Sequence, residues 1–187
     1  MKVIGLALCT RPASERIVDE SKVIITKDEY DLSSIPFFER KNCKSLIQMA
    51  IRVLCGKVAP GGMRSLNYPD IQHVFHVVVK SDGRAACTVT DVSYPTQSGI
   101  SSSLGLLQKA ATIDLTSEIK RLQNPAEADK ILRLQREIDA VKAVMVENID
   151  KVLERGEKID DLVERSAALN DSSKQFYKRA KKLNGCC

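Results

Sequence analysis

The pattern of apolar and polar positions changes character along this chain, and Pro125, its last proline, marks the change. Before it the apolar residues come in short blocks. Residues 3–9 and His73–Val79 are near-continuous apolar runs, the pattern of strands buried on both faces. Residues 21–26 (SKVIIT) form a further strand candidate with a β-branched centre, and Met63–Tyr68, 72–80 and 84–92 complete the set. Between residues 43 and 58, Leu46, Ile47, Ala50, Ile51, Leu54 and Cys55 recur at i, i+3/i+4 spacing. That spacing predicts a helix with one apolar face, stopped by Pro60-Gly61-Gly62. Ser81-Asp82-Gly83 between the last two strands is a hairpin signal. Residues 98–112 predict a short, Ser-rich helix, whereas 113–129 show only mixed charge. The order β-β-α-β-β-β predicts an α+β domain with one helix against an antiparallel sheet.

From Asp129 to Asn184 there is no proline, one glycine (Gly156) and an abundance of Leu, Lys, Glu and Arg. Alternating steps of three and four pass through Ile131, Leu134, Ile138, Val141, Met145, Asn148, Val152, Arg155, Ile159, Leu162, Ser166, Leu169, Ser173, Phe176, Ala180 and Leu183. Twelve of these 16 positions are apolar, against about 7 expected from the 43% hydrophobic content of the chain. One register holds throughout, the signature of a coiled-coil seam. As one helix at ~1.5 Å per residue it would reach roughly 80 Å, too long to fold back on so small a domain, so it needs partner helices. Arg155 interrupts the seam. A guanidinium in an apolar layer costs several kcal/mol unless acceptors face it, so Arg155 predicts partners that supply them and thereby fix register; in a two-stranded coil it would instead snorkel to solvent.

Composition narrows the function classes. The net charge of +5 is mild and only 4% of residues are aromatic, which argues against nucleic-acid binding. No apolar run approaches the roughly 18–20 residues that span a bilayer, and residues 3–9, followed by Thr10-Arg11-Pro12, read as a buried strand instead of a signal peptide. A cytosolic chain is expected. There Cys9, Cys43, Cys55 and Cys87 read as small buried hydrophobes, while Cys186 and Cys187, at the last two positions, read as lipid acceptors. His73 and His76 are three apart in a strand and face opposite ways, so no metal is expected, and no cofactor. The chain lacks GxxxxGK[ST], GxSxG and HExxH, and is not expected to be an enzyme.

Several stretches resemble a known family. Residues 152–163 (VLERGEKIDDLV) are similar to the central motif of R-SNAREs, the synaptobrevin-like membrane-fusion proteins, with 174–178 (KQFYK) and 123–129 (QNPAEAD) as flanking matches. Residues 30–38 (YDLSSIPFF) resemble the N-terminal longin domain of the prenyl-anchored branch of that family. The resemblance implies a longin, profilin-like domain over 1–118 with a five-stranded antiparallel sheet and flanking helices. It further implies a linker over 119–129, an R-SNARE coiled-coil helix over 130–184 and a lipid-anchor tail over 185–187. Arg155 would face one Gln from each of three Gln-SNARE helices in a parallel four-helix bundle, with the other seam positions as its layers. Cys187 would take a prenyl group and Cys186 a palmitoyl group. The family's ending has further residues after the prenylated cysteine, whereas this sequence stops at Cys187. The segment 96–122 is also short for the family, which leaves less chain for the last longin helix.

Lys174, Lys178, Arg179, Lys181 and Lys182 would add electrostatic attraction to an anionic surface, about 1 kcal/mol each. Together these imply vesicle fusion at the cytosolic face of Golgi, ER, endosome or vacuole, with the longin domain regulating or targeting. Its groove would involve Leu46 and Met49. The alternative is a longin-containing trafficking adaptor or tether with a self-associating coiled coil.

Overall fold

The structure, a computed structural model, describes residues 2–124, 143–153 and 156–184. The two apolar runs become the strands β1 (Val3–Thr10) and β4 (His73–Val79). With β2 (Ile24–Tyr30), β3 (Met63–Tyr68) and β5 (Arg84–Asp91) they form the antiparallel sheet β2-β1-β5-β4-β3. Helix α1 (Arg40–Lys57) covers one face; α2 (Thr96–Gln108) and α3 (Leu115–Leu122) cover the other. The central strands are therefore apolar on both sides. Phe75, Val77 and Val79 join the α1 layer, while Val78 joins the α2–α3 layer.

Strand β2 begins three residues later than its β-branched centre suggests. Asp19 accepts a hydrogen bond from the Ser21 amide and starts a 3-10 turn at Glu20–Lys22. β2 also lies at the sheet edge, paired only with β1, so its polar residues Lys27 and Glu29 carry no apolar signal although they belong to it. The 96–122 segment holds two helices. Asp114 caps α3 by accepting from the Thr116 and Ser117 amides, and Leu115, Ile119 and Leu122 form its buried stripe. Gln123 then ties the end of α3 to β1, accepting from the Val3 amide at 3.1 Å and donating to the Val3 carbonyl at 2.6 Å.

The far end of α1 is closed by a residue that carried no sequence signal. Arg11 is 6% exposed, and its guanidinium donates to the carbonyls of Cys55, Gly56 and Val58 at 3.1, 2.9 and 2.7 Å. These include carbonyls at the C-terminal turn of α1, where the helix dipole favours a cation. Arg11 also donates to the carbonyls of Glu15 and Arg16, so the buried charge is fully hydrogen-bonded.

The Ser-rich composition of α2 has a packing cause. Ser98, Gly99, Ser101, Ser102 and Ser103 are buried, and a Cβ at Gly99 would lie 2.2 Å from the His76 ring. Beneath α2, His76 is hydrogen-bonded on both sides: Nδ1 lies 2.8 Å from Ser65 Oγ and Nε2 lies 3.0 Å from Thr90 Oγ1. Because Thr90 gives its own proton to the Asp91 carbonyl, Nε2 carries the imidazole proton and Nδ1 accepts from Ser65. Cys9, Cys43, Cys55 and Cys87 are free and buried, as packing residues should be.

Two outcomes follow. Gly99→Ala should destabilise the domain by about 1–3 kcal/mol, read as a lowered urea midpoint, since α2 must move off His76. Burial pushes the His76 imidazole down from 6.5 to about 3, so the folded chain keeps it neutral while the unfolded chain protonates it below about 6.5. The unfolded state binds the extra proton, and stability should fall as pH drops from 6.5 towards 3, by up to about 1.4 kcal/mol per pH unit. Urea melts of His76→Gln should lose that slope whatever the variant's stability at pH 8.

Candidate functional site: the C-terminal arm on the domain

The expectation of one unbroken helix over 130–184, too long to fold back, does not hold among the described residues. The chain returns to the domain by breaking. It contributes a sixth strand, β6 (Val146–Asn148), parallel to β3 with Leu66 opposite Glu147, then a 3-10 turn at Ile149–Lys151. After it come α4 (Ile159–Arg165) and α5 (Asp171–Asn184). Gly156 has φ +87°, a left-handed conformation that ends any helix there at little cost for glycine. Asn170 caps α5 by accepting from the Ser173 amide at 2.8 Å.

The face of the arm turned to the domain is the heptad stripe. Ile159, Leu162, Ser166, Leu169 and Ser173 are all buried, and Val152, Phe176 and Ala180 are half-buried. Ile159, Leu162, Val163, Leu169 and Tyr177 belong to the same hydrophobic cluster as Leu46, Phe75 and Val77. The stripe frays at its ends: Met145 and Leu183 are each 79% exposed, and Asn148 is exposed while its side chain caps the 3-10 turn. Ile131, Leu134, Ile138, Val141, Arg155, Cys186 and Cys187 lie outside the described residues.

Between α1 and α5 lies a cavity of about 140 Å³, lined by Ile35, Cys43, Leu46, Ile47, Ile71 and His73 with Phe176 and Ala180 from the arm. Leu46 thus faces the groove. Met49 does not line this cavity: 1% exposed, it sits in the core cluster of the α1 layer. Burial lowers the pKa of His73, which keeps this groove residue neutral.

A polar rim surrounds the groove. The Tyr177 hydroxyl lies between Asp70, at 2.7 Å, and Asp160, and gives its one proton to one carboxylate at a time. Its ring packs against Tyr68 with centroids 6.1 Å apart. Burial, with Tyr68 and Asp160 alongside, raises the Tyr177 hydroxyl far above its usual range, so it remains a donor. Lys181 balances the carboxylates, pairing with Asp160 at 2.5 Å and Asp70 at 3.9 Å. Burial pushes the Asp160 carboxyl up, but bonds from Lys181 and Tyr177 outweigh it and hold it below the usual range. Ser173 donates to Asn42 at 3.2 Å, Arg179 pairs with Glu39 at 3.3 Å and Lys57 with Glu157 at 2.9 Å.

Sequence reasoning missed Tyr177, Asp70, Asp160 and Asn42, because the bonds Tyr177–Asp70 and Ser173–Asn42 join residues more than 100 positions apart. The one available signal was Tyr177 itself, an aromatic beside the stripe residue Phe176. Among the described residues no group of three or more His, Cys, Asp or Glu side chains is placed to hold a metal, and no helix is long and apolar enough to cross a membrane.

A sheet with helices on both faces, wrapped in a heptad-patterned arm, is the arrangement of a longin-type SNARE. Residues 130–185 match the Synaptobrevin family model. Over its full length the chain is 32% identical to Synaptobrevin homolog YKT6 of Candida glabrata, covering 98% of that protein. It is 33% identical to VAMP-like protein YKT61 of Arabidopsis thaliana, with 90% of this chain and 92% of that one aligned. It is also 33% identical to Synaptobrevin homolog ykt6 of Schizosaccharomyces pombe, with 84% and 87% aligned. The chain belongs to the Ykt6-like longin R-SNAREs, a family of vesicle trafficking whose members pair with other SNAREs and associate with membranes.

The rim and groove make a local prediction. Tyr177→Phe removes a hydrogen bond to a carboxylate and should weaken arm docking by about 1.5–3 kcal/mol. Amide hydrogen exchange should speed up across residues 159–184 while β1 and β5 stay protected. Equal acceleration in both would mean that arm and domain unfold as one unit.

Proposed function

We propose that residues 130–184 act as an R-SNARE helix in vesicle-membrane fusion. They pair in parallel with three Gln-type SNARE helices, and the longin domain holds the same residues in reserve when partners are absent. The observation that carries this reading is the orientation of the stripe. The layer residues from Ile159 to Ala180, which the heptad register assigns to partner helices, are those turned onto α1 and β3. Domain and partners therefore compete for one surface, and binding of partners releases the arm through their higher affinity for the extended form.

In the assembled bundle the stripe becomes continuous from Ile131 to Leu183, and Arg155 forms the central polar layer. Three neutral amide oxygens satisfy its guanidinium there, whereas a slipped register leaves the charge unpaired. Cys187 takes a prenyl group and Cys186 a palmitoyl group, and the basic residues of α5 add attraction to an anionic surface. Two signals anchor stably where one binds only marginally. The protein works at the cytosolic face of endomembranes.

Mixing the full chain with three purified Gln-type SNARE helices should give a cooperative complex more helical than the sum of its parts. The gain includes β6 and the turn at Ile149–Lys151, which are non-α-helical in the docked arm. Absence of that gain overturns the reading. A stable parallel homo-oligomer of the chain alone, seen by light scattering, points instead to the adaptor. Arg155→Ala should alter register or partner choice while leaving solubility unchanged.

A further inference from the structure

The turn between β2 and α1 presents two aromatic rings to solvent. Phe37 is 84% exposed and Phe38 78% exposed, side by side in the 3-10 turn Phe37–Glu39. Their exposure is held in place by the fold. Arg40 Nε donates to the Ile35 carbonyl at 2.9 Å, a second guanidinium nitrogen reaches the Ser33 carbonyl at 3.4 Å, and the guanidinium lies 5.9 Å from the Phe37 ring centroid. Pro36 precedes the turn, and its fixed φ reduces the loop's freedom to tuck the rings away.

Cations lie beside this turn and on the helix that pairs with it. Arg40 and Lys41 are exposed at the start of α1. The outer face of α5 carries Lys178, Arg179 and Lys182 beside Gln175. Arg179 joins this face to the aromatic turn, because it pairs with Glu39 of that turn at 3.3 Å. The pairing also offsets the turn's own acid. Glu164 does the same for Lys178 at 2.7 Å, which leaves Arg40, Lys41 and Lys182 as uncompensated positive charge in the described contacts. Two solvent-facing aromatics rimmed by basic side chains match the layering of a bilayer surface, with apolar acyl boundary beneath phosphate headgroups. A protein partner that reads aromatics would be expected to need the rings one at a time in pockets, whereas adjacent rings on a protruding turn enter a fluid interface together.

We propose that this face is a membrane-docking surface of the folded domain: Phe37 and Phe38 enter the interface of an anionic bilayer while Arg40, Lys41 and Lys182 meet its headgroups. The docking needs neither lipid on Cys186 or Cys187 nor a SNARE partner. It orients the arm-docked form with the C-terminal end of α5 on the membrane side.

The test uses the full chain without lipid modification, and its failure leaves SNARE pairing untouched. The chain should co-sediment with equimolar phosphatidylcholine–phosphatidylserine vesicles, less with phosphatidylcholine alone, and less at high salt. Phe37→Ser with Phe38→Ser should cut partitioning by about tenfold or more, at an unchanged melting temperature since both rings are exposed. Lys41→Glu with Lys182→Glu should also lower it. Failure of the unmodified chain to bind anionic vesicles overturns the proposal. So does equal binding by the Phe double variant, or equal binding to neutral and anionic vesicles. A double variant that changes the chain's mass by light scattering, with vesicle binding unaltered, assigns the rings to a protein contact and also overturns it.

Discussion

The apolar stripe of the C-terminal arm has to be covered, and from Ile159 to Ala180 the cover in this structure is the chain's own α1–β3 side. Ile159, Leu162, Val163 and Leu169 would otherwise stand in water, where each leaves roughly 1.5–3 kcal/mol of burial unrealised. Much of the domain's design on this side follows from that need. Cys43, Leu46 and Ile47 on α1 extend apolar surface past what the sheet alone requires, and the edge of β3 is free to accept β6. The opposite side has no such task. There α2 and α3 seal the sheet with small residues and a buried polar network around His76.

Covering the stripe with a curved domain imposes a shape that a straight helix cannot take. The arm meets it with breaks at places whose residues tolerate them. Gly156 adopts a positive φ that Cβ-bearing residues rarely adopt, and Asn170 supplies a cap where α5 begins. Between the breaks, α4 spans 7 residues and α5 14, lengths at which isolated helices are marginal in water, so the fragments depend on docking for their order. The same residues in an unbroken helix would need Gly156, the extended residues Lys158 and Ser166 and the strand β6 to change backbone basin.

This explains which parts were legible from the residues alone. β1, β3, β4, β5, α1 and the β4–β5 hairpin are dictated by local periodicity and turn chemistry, and they form within one to three residues of where the pattern puts them. β2 was displaced because an edge strand shows no double-sided apolar run. α3 was hidden in a charged stretch although Asp114 and the i, i+4, i+7 stripe Leu115, Ile119, Leu122 were present. The stripe of the arm was readable; its destination was not. A heptad pattern says which residues seek cover and is silent on whether the cover is another chain or the domain, so the breaks, β6 and the Tyr177 contacts had no local signal. Arg11 was unreadable for the same reason, since its partners at the end of α1 lie 44 to 47 positions away.

The distribution of polar contacts then sets how firmly the arm is held. Arg179–Glu39 and Lys178–Glu164 have well-exposed cationic partners, and pairs of that kind contribute ~0–1 kcal/mol in water. They guide α5 without clamping it. Tyr177 is different: 3% exposed, it ties Asp70 of the domain to Asp160 of α4, so one side chain of α5 links three pieces of structure. Lys57–Glu157 is different too, with both side chains only 10% and 13% exposed. Undocking separates this shielded pair, while Glu157 keeps Arg165 of α4, at 2.7 Å, as a partner within the arm. Glu157 follows Gly156 directly, so a left-handed turn of the backbone adjoins a shielded tie between the arm and α1. Weak, exposed pairs and two shielded ties, Tyr177 and Lys57–Glu157, thus hold the arm side by side, a mixture that suits a segment proposed to exchange the domain for partner helices.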